Sequence, residues 1–149
     1  MNVEVKKLTG DEVEPFIELI HLFRAVFETD KVTKAQPQHL RRLLARPDFI
    51  VFVAQFANQV IGGLTAYILP QYHSEKPVVY LYDIAVGTTY QGQGVGTKLL
   101  TQLMQYCRNL GTEELFVQAD KEDSLAIDFY RTTGGAAMEV IQFTYPLNQ

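Results

Sequence analysis

Val78-Val79-Tyr80-Leu81-Tyr82-Asp83-Ile84-Ala85-Val86 runs through Gly87-Thr88-Thr89-Tyr90 into Gln91-Gly92-Gln93-Gly94-Val95-Gly96-Thr97-Lys98. The first nine residues have the apolar, β-branched and aromatic composition of a strand buried in a sheet. After Tyr90 the period changes: Val95, Leu99, Leu103, Tyr106 or Cys107, and Leu110 recur every three or four residues, and Gly111 stands where a helix stops. Between strand and helix lie three glycines at alternate positions. They let the backbone approach a ligand closely, and their amides, with the positive end of the helix dipole, form an anion site that suits a pyrophosphate. The loop lacks the Lys-Ser/Thr ending of a P-loop, having Thr97-Lys98 in the reverse order, and it follows several strands instead of opening a βαβ unit.

Working outward from that junction, the rest of the chain supplies a sheet and its cover. Residues 2–8 alternate as a short strand. Thr9-Gly10-Asp11 offers caps for a helix whose apolar stripe is Val13, Phe16, Ile17, Ile20, Phe23 and Phe27. Pro37 suits a first helical turn, with Leu40, Leu43 and Leu44 behind it and Pro47 as a stop. Phe49–Phe56, a turn at Ala57-Asn58-Gln59, Val60–Leu69 and Val78–Val86 read as an antiparallel meander. Leu115–Ala119 is a short strand, Ser124–Thr133 a helix ended by Gly134-Gly135, and Ala137–Tyr145 a closing strand. The order β-α-α-β-β-β-α-β-α-β predicts an α/β fold with one mixed, mostly antiparallel sheet and helices on both faces. With no repeat, low-complexity tract or linker, residues 1–149 are read as a single domain.

The bulk numbers narrow the function. The chain has 149 residues, 47% hydrophobic and 20% charged, and no apolar run near the roughly 18 residues of a membrane span. Its first residues lack a secretory pattern, which predicts a cytoplasmic protein. Cys107 is the single cysteine, and His21, His39 and His73 share no ligand spacing, so no disulfide or metal site is expected. A net charge of −4 argues against nucleic-acid binding. The charge is uneven. Glu113, Glu114, Asp120, Glu122, Asp123 and Asp128 face only Lys121 between residues 113 and 128, a run able to attract a cationic substrate. Lys31, Lys34, Arg41, Arg42 and Arg46 reverse the balance between residues 31 and 46.

Gln91-x-x-Gly94-x-Gly96 after a hydrophobic strand resembles the signature of the GNAT superfamily of N-acetyltransferases, and Ala126-x-x-Phe129-Tyr130-x-x-x-Gly134 is similar to that family's second motif. Within it, Thr65-Ala66-Tyr67-Ile68-Leu69-Pro70, Tyr80–Val86 and Val117-Gln118-Ala119-Asp120 resemble the aminoglycoside 3-N-acetyltransferases, the gentamicin-modifying group. The chain departs from the pattern with Gln91-Gly92 where an Arg pair is common and Gly135 where an aromatic residue often follows.

The resemblance implies acetyl transfer from acetyl-CoA to a primary amine in a ternary complex, and resistance to the antibiotic so modified. Ile84, Ala85 and Val86 would lie along the pantetheine arm. Gln91, Gly92, Gln93, Gly94, Val95, Gly96 and Thr97 would hold the pyrophosphate. Asp83 is the candidate base or ammonium anchor, its ordinary pKa of about 3.9 being too low for a base unless burial raises it. Tyr130 would protonate the departing thiolate. Asp120, Glu122 and Asp123, with Glu28 and Asp30 from the loop between the first two helices, would bind a polycationic acceptor. Three simpler roles stand beside these: a strand-end Asp83 bonding the next loop, a packed Tyr130, and Asp123 as a helix cap. Acceptors other than an aminoglycoside (a polyamine, a peptide N-terminus, a lysine) fit the same motifs. A non-catalytic acetyl-CoA-binding module fits them less well, because both Asp83 and Tyr130 are present. A homodimer is suggested by the resemblance alone.

Overall fold

The computed structural model describes residues 1–29 and 35–148 and divides into two compact units, Met1–Gln118 and Ala119–Gln149. The first unit is built on a five-stranded sheet in sequential order: β1 (Glu4–Lys7), β2 (Phe49–Phe56), β3 (Gln59–Leu69), β4 (Val78–Val86) and β5 (Glu114–Val117). β1 to β4 are antiparallel and β5 joins β4 in parallel. The β2–β3 turn is made by Ala57 and Asn58, both at positive φ (50° and 63°), the conformation a tight hairpin requires.

Both faces of β2 are covered, which is why its composition shows no alternation. Phe49, Val51 and Val53 pack with Val13, Phe16, Leu19 and Phe23 of α1 (Val13–Phe27) and Leu40 and Leu44 of α2 (Pro37–Leu44). Ile50, Phe52 and Ala54, also buried, point the other way, where the Phe52 ring meets Tyr106 of α3 (Val95–Leu110) edge-on at 6.1 Å. Leu99, Leu103 and Cys107 of α3 are buried, and burial pushes the Cys107 thiol pKa up, as suits an inert core residue. α3 ends as its Gly111 suggests: that residue takes φ 80°, and the Gly111 and Thr112 amides donate back to the Arg108 and Cys107 carbonyls.

At Gly63 the Leu19 side chain of α1 packs directly on the sheet backbone. A Cβ there would fall 2.5 Å from Leu19 Cδ1 and 2.7 Å from the Phe52 carbonyl oxygen. Gly63→Ala is therefore expected to cost about 1–3 kcal/mol of stability, read as a lower urea midpoint at unchanged slope.

The second unit holds α4 (Ser124–Thr132). Asp123 caps it by accepting a hydrogen bond from the Ala126 amide at 3.1 Å, and Gly134, at φ 106°, closes its far end. The closing strand expected over Ala137–Tyr145 does not form. Residues 135–148 contain neither helix nor strand. The alternating pattern encodes a strand with one buried face, but a strand exists only beside a partner edge, and none pairs with these residues among those described.

Candidate functional site

Two features of β4 create the site in the first unit. In the register with β3, Asp83 lies opposite Thr65 and Leu81 opposite Ala66, so Tyr82 is an extra residue. Such a bulge re-aims side chains. On the other edge, β5 accompanies β4 only from Val78 to Leu81. Beyond Leu81 that edge of β4 has no strand neighbour among the described residues. Within Ile84–Val86 the main-chain groups that point away from β3 are therefore those of an unpaired strand edge, apart from the Val86 carbonyl, which accepts from Gln91, and an extended ligand can satisfy them as an added strand would.

The chain then turns through a short 3-10 segment, Thr88–Tyr90, into the glycine loop. Gln91 fixes the loop's start, its Nε2 donating to the Val86 carbonyl at 2.8 Å. Gln93 Nε2 donates to the Thr89 carbonyl at 3.3 Å. Gly92 and Gly94 take φ 76° and 83°, where a side chain is strained, and a Cβ on either would meet no heavy atom within 4 Å. Gly94 is also the N-cap of α3, and no side chain caps that end. The first amides of α3, from Val95 through Gly96 and Thr97, are left for an anion. A cavity of about 290 Å³ adjoins the loop, lined by Met1, Val3, Gln93, Gly94, Val95 and Lys98. Lys98, whose ammonium donates to the Val3 carbonyl, brings a positive charge to it.

Asp83 is half-buried, and that burial raises its pKa above the ordinary carboxylate value, the condition a base on this strand needs. Around it stands an aromatic group that the sequence reading did not single out. The Tyr82 ring meets Tyr67 and Tyr80 edge-on, both at 5.6 Å, and Tyr80 stacks on Phe116 at 4.8 Å with 4° between the planes. The Tyr80 hydroxyl donates to Gln118 Oε1 at 2.7 Å. Burial first, and then the neighbouring Tyr82 and Asp83, raise the Tyr67 and Tyr80 pKa values. Tyr82 is 56% exposed. The spacing of Tyr80 and Tyr82 in the strand is the one sequence signal for this cluster; Tyr67 and Phe116 join it only through sheet topology.

The second unit carries Tyr130 on α4 and the acidic loop before it. Asp123 is engaged as the helix cap, and Asp120 Oδ1 accepts from the Glu122 amide at 3.0 Å, so each spends one carboxylate oxygen on the backbone. Glu122 is exposed. Of the remaining acidic candidates, Glu28 ends α1 in the left-handed conformation with φ 50°, and Asp30 lies outside the described residues.

An open strand edge running into a glycine loop and an uncapped helix defines a domain suited to an extended ligand with an anionic group. Residues 16–134 match the model of the Acetyltransferase (GNAT) family, and the chain belongs to that family. It is similar to an aminoglycoside acetyltransferase, meta-AAC0020, from an uncultured soil metagenomic sample. The two are 46% identical over 98% of this chain and 97% of that one; the TM-score is 0.96 to the complex with trehalose and 0.95 to the complex with sisomicin. A second aminoglycoside acetyltransferase of the same kind of source, HMB0005, is 31% identical over 99% of this chain and all of that one, with TM-score 0.94. An uncharacterized N-acetyltransferase of Methanocaldococcus jannaschii, MJ1207, is 24% identical over 93% of this chain, which spans 62% of that relative's length. The chain is thus a member of an acetyltransferase family, structurally close to aminoglycoside acetyltransferases, and acetyl-CoA is the acyl donor of that family. The open β4 edge and the glycine loop fit that donor. Among the described residues, no helix is long and apolar enough to cross a membrane.

Proposed function

We propose that the chain acetylates a primary amine of an aminoglycoside, at the 3-amino group, and thereby confers resistance to the antibiotic. The observation that carries this reading is a half-buried carboxylate of raised pKa, Asp83, on the bulge of the strand whose open edge leads into the glycine loop. Acetyl-CoA supplies an acetyl group activated as a thioester. The backbone of Ile84, Ala85 and Val86 would hold its extended arm, and the amides from Gln91 to Thr97 its pyrophosphate, with Lys98 adding positive charge. Asp83 takes the proton of the acceptor ammonium, directly or through water, so that nitrogen bears a lone pair at attack. After attack the nitrogen would lose its second proton, which would restore the phenol of Tyr130 once Tyr130 has protonated the departing sulfur as the carbon–sulfur bond breaks. Tyr67, Tyr80 and Tyr82 offer aromatic faces to an aminosugar, where an ammonium gains cation–π attraction. Asp120, Glu122, Asp123, Glu28 and Asp30 contribute negative charge toward a polycation. The similarity to a protein solved with sisomicin supports this acceptor class.

An acceptor panel decides it. Thiol release is measured with gentamicin and sisomicin, spermidine and short peptides at saturating acetyl-CoA, and the acetylated nitrogen is located by NMR. Brisk turnover on peptides or spermidine with none on aminoglycosides would overturn the acceptor class, and acetylation at another nitrogen would overturn only the 3-amino assignment. Tyr130→Phe should lower kcat about tenfold with unchanged acetyl-CoA affinity. That is below the 10²–10⁴ typical of general acid–base groups, because a thiol of pKa about 8.5 leaves readily. Unchanged kcat with chemistry rate-limiting would assign Tyr130 to packing.

A further inference from the structure

A Cβ on Gly63 would meet the Leu19 side chain, so Gly63 looks toward α1. Residues directly opposite each other in an antiparallel pair share a face of the sheet, and along a regular strand the faces alternate. Gly63 lies opposite Ala85, Thr65 opposite Asp83 and Tyr67 opposite Tyr80, so all six look toward the α1 side. Ala85 and Tyr67 do pack with the α1 residues there. Tyr80 and Asp83 are three apart in the chain, and in an unbroken strand they would point to opposite faces. The extra residue between Leu81 and Asp83 brings them to the same one.

That extra residue, Tyr82, joins them. Its ring lies 5.6 Å from both Tyr67 and Tyr80, at 81° and 73° to their planes. The bulge therefore sets Tyr82 and Asp83, consecutive in the chain, beside the same pair of tyrosines. Tyr82 is exposed yet held in place. Its two near-perpendicular neighbours fix the plane of its ring, and Tyr80 is itself fixed by stacking on Phe116 and by its hydrogen bond to Gln118. A side chain ordered in advance loses little conformational entropy when a ligand arrives.

An immobilised aromatic plane beside a half-buried carboxylate offers two chemistries at once. The negative π-face attracts the weakly positive C–H groups of a saturated ring, and the carboxylate attracts an ammonium. An amine carried on a rigid saturated ring meets both in one pose. A linear polyamine meets only the carboxylate, and its chain must be frozen for it to do so. Negative charge alone would draw in either kind of polycation, so discrimination between them needs a surface with a shape.

We propose that Tyr82 is the specificity-determining residue of the acceptor site: its ring lies against the C–H face of the saturated ring whose amine meets Asp83, and so selects ring-borne amines over linear ones. The proposal rests on the aminoglycoside reading above.

Gentamicin turnover by the wild type is read first, since its absence would sink the acceptor reading and this proposal with it. Tyr82→Leu, which keeps bulk and loses the aromatic face, should raise the gentamicin KM about tenfold, the loss typical of truncating an aromatic anchor. Its kcat and acetyl-CoA affinity should stay close to the wild-type values, and the second of these also shows that the variant is folded. Tyr82→Phe, which restores the ring, should recover most of the lost KM. A matched pair of diamines tests the selection without any variant: 2-deoxystreptamine and 1,3-diaminopropane carry two ammonium groups at the same spacing, with and without a ring. As competitors of gentamicin, the cyclic diamine should bind the wild type about tenfold more tightly than the linear one, and Tyr82→Leu should hold the two about equally. With gentamicin turnover present, three results would each overturn the proposal and leave the acceptor class standing: an unchanged KM in folded Tyr82→Leu, a loss that Tyr82→Phe does not recover, or a wild type that does not favour the cyclic diamine.

Discussion

Gly94→Val should leave a folded protein whose affinity for acetyl-CoA, measured by calorimetry, has fallen by about 10² to 10⁴. Gly94 takes φ 83°, and nothing lies within 4 Å of a Cβ built there, so the substitution meets no clash inside the protein. Its effect acts through the backbone. A non-glycine residue in the left-handed region costs about 1–2 kcal/mol, more for a β-branched one, which a domain stable by about 5–15 kcal/mol survives. The chain relieves that strain by moving φ, and because Gly94 is also the N-cap of α3, the movement shifts the first amides of the helix. Losing two charge-assisted hydrogen bonds, at about 1.5–3 kcal/mol each, produces a drop of this size. The same helix provides its own control. Gly111, at φ 80° and with an equally empty surrounding, ends α3 as Gly94 begins it. Gly111→Val should cost similar stability and leave acetyl-CoA affinity unchanged. Unchanged affinity in a folded Gly94→Val protein would remove the loop from the donor site.

The contrast between those glycines shows which features sequence can carry. Both are legible because a helix's apolar period states where it begins and ends, and the neighbouring glycine then has one conformational task. The strands β2, β3 and β4 were equally legible, since their runs of Val, Ile, Phe and Tyr are bounded by turn residues. The bulge at Tyr82 was not. It arises from a register between two strands, and neither strand's composition records a residue left without a partner. For the same reason Tyr67, thirteen residues and one hairpin away from Tyr80, could not be joined to the Asp83 cluster before the β3–β4 pairing was known. Residues 137–145 fail in the opposite direction. Their alternation states what kind of surface they need and is silent about where that surface is, so the strand that pattern alone predicts has no partner among the described residues. Among the acidic residues, Asp123 was legible both as a cap and as a substrate ligand. The bond to Ala126 engages one of its oxygens, so the cap role is in place whatever the other oxygen does.

Asp83→Asn should separate chemistry from structure, because the two roles open to Asp83 predict opposite changes in stability. Asparagine keeps the shape and a carbonyl acceptor but cannot take a proton from an ammonium, so as the general base Asp83 should take about 10² to 10⁴ of kcat with it. Burial raises the Asp83 pKa in the folded protein above its unfolded value of about 3.9. Between those two values the folded state holds more protons than the unfolded state, so stability falls as pH rises through that window, and above it the full cost of burying the charge is present. Removing the charge at neutral pH should therefore raise the thermal midpoint. Below pH about 3.9 both states are protonated and the gain over wild type should vanish. The rate profile runs in parallel: kcat/KM of the wild type should fall as pH drops through the raised pKa of Asp83, and that acid limb should be missing from the residual activity of the variant. An aspartate that merely bonds the following loop gives the reverse pattern, a lower midpoint at neutral pH with turnover and its acid limb intact. A protein that gains stability while losing turnover is one in which the strand carries a buried carboxylate for its chemistry and at the expense of the fold.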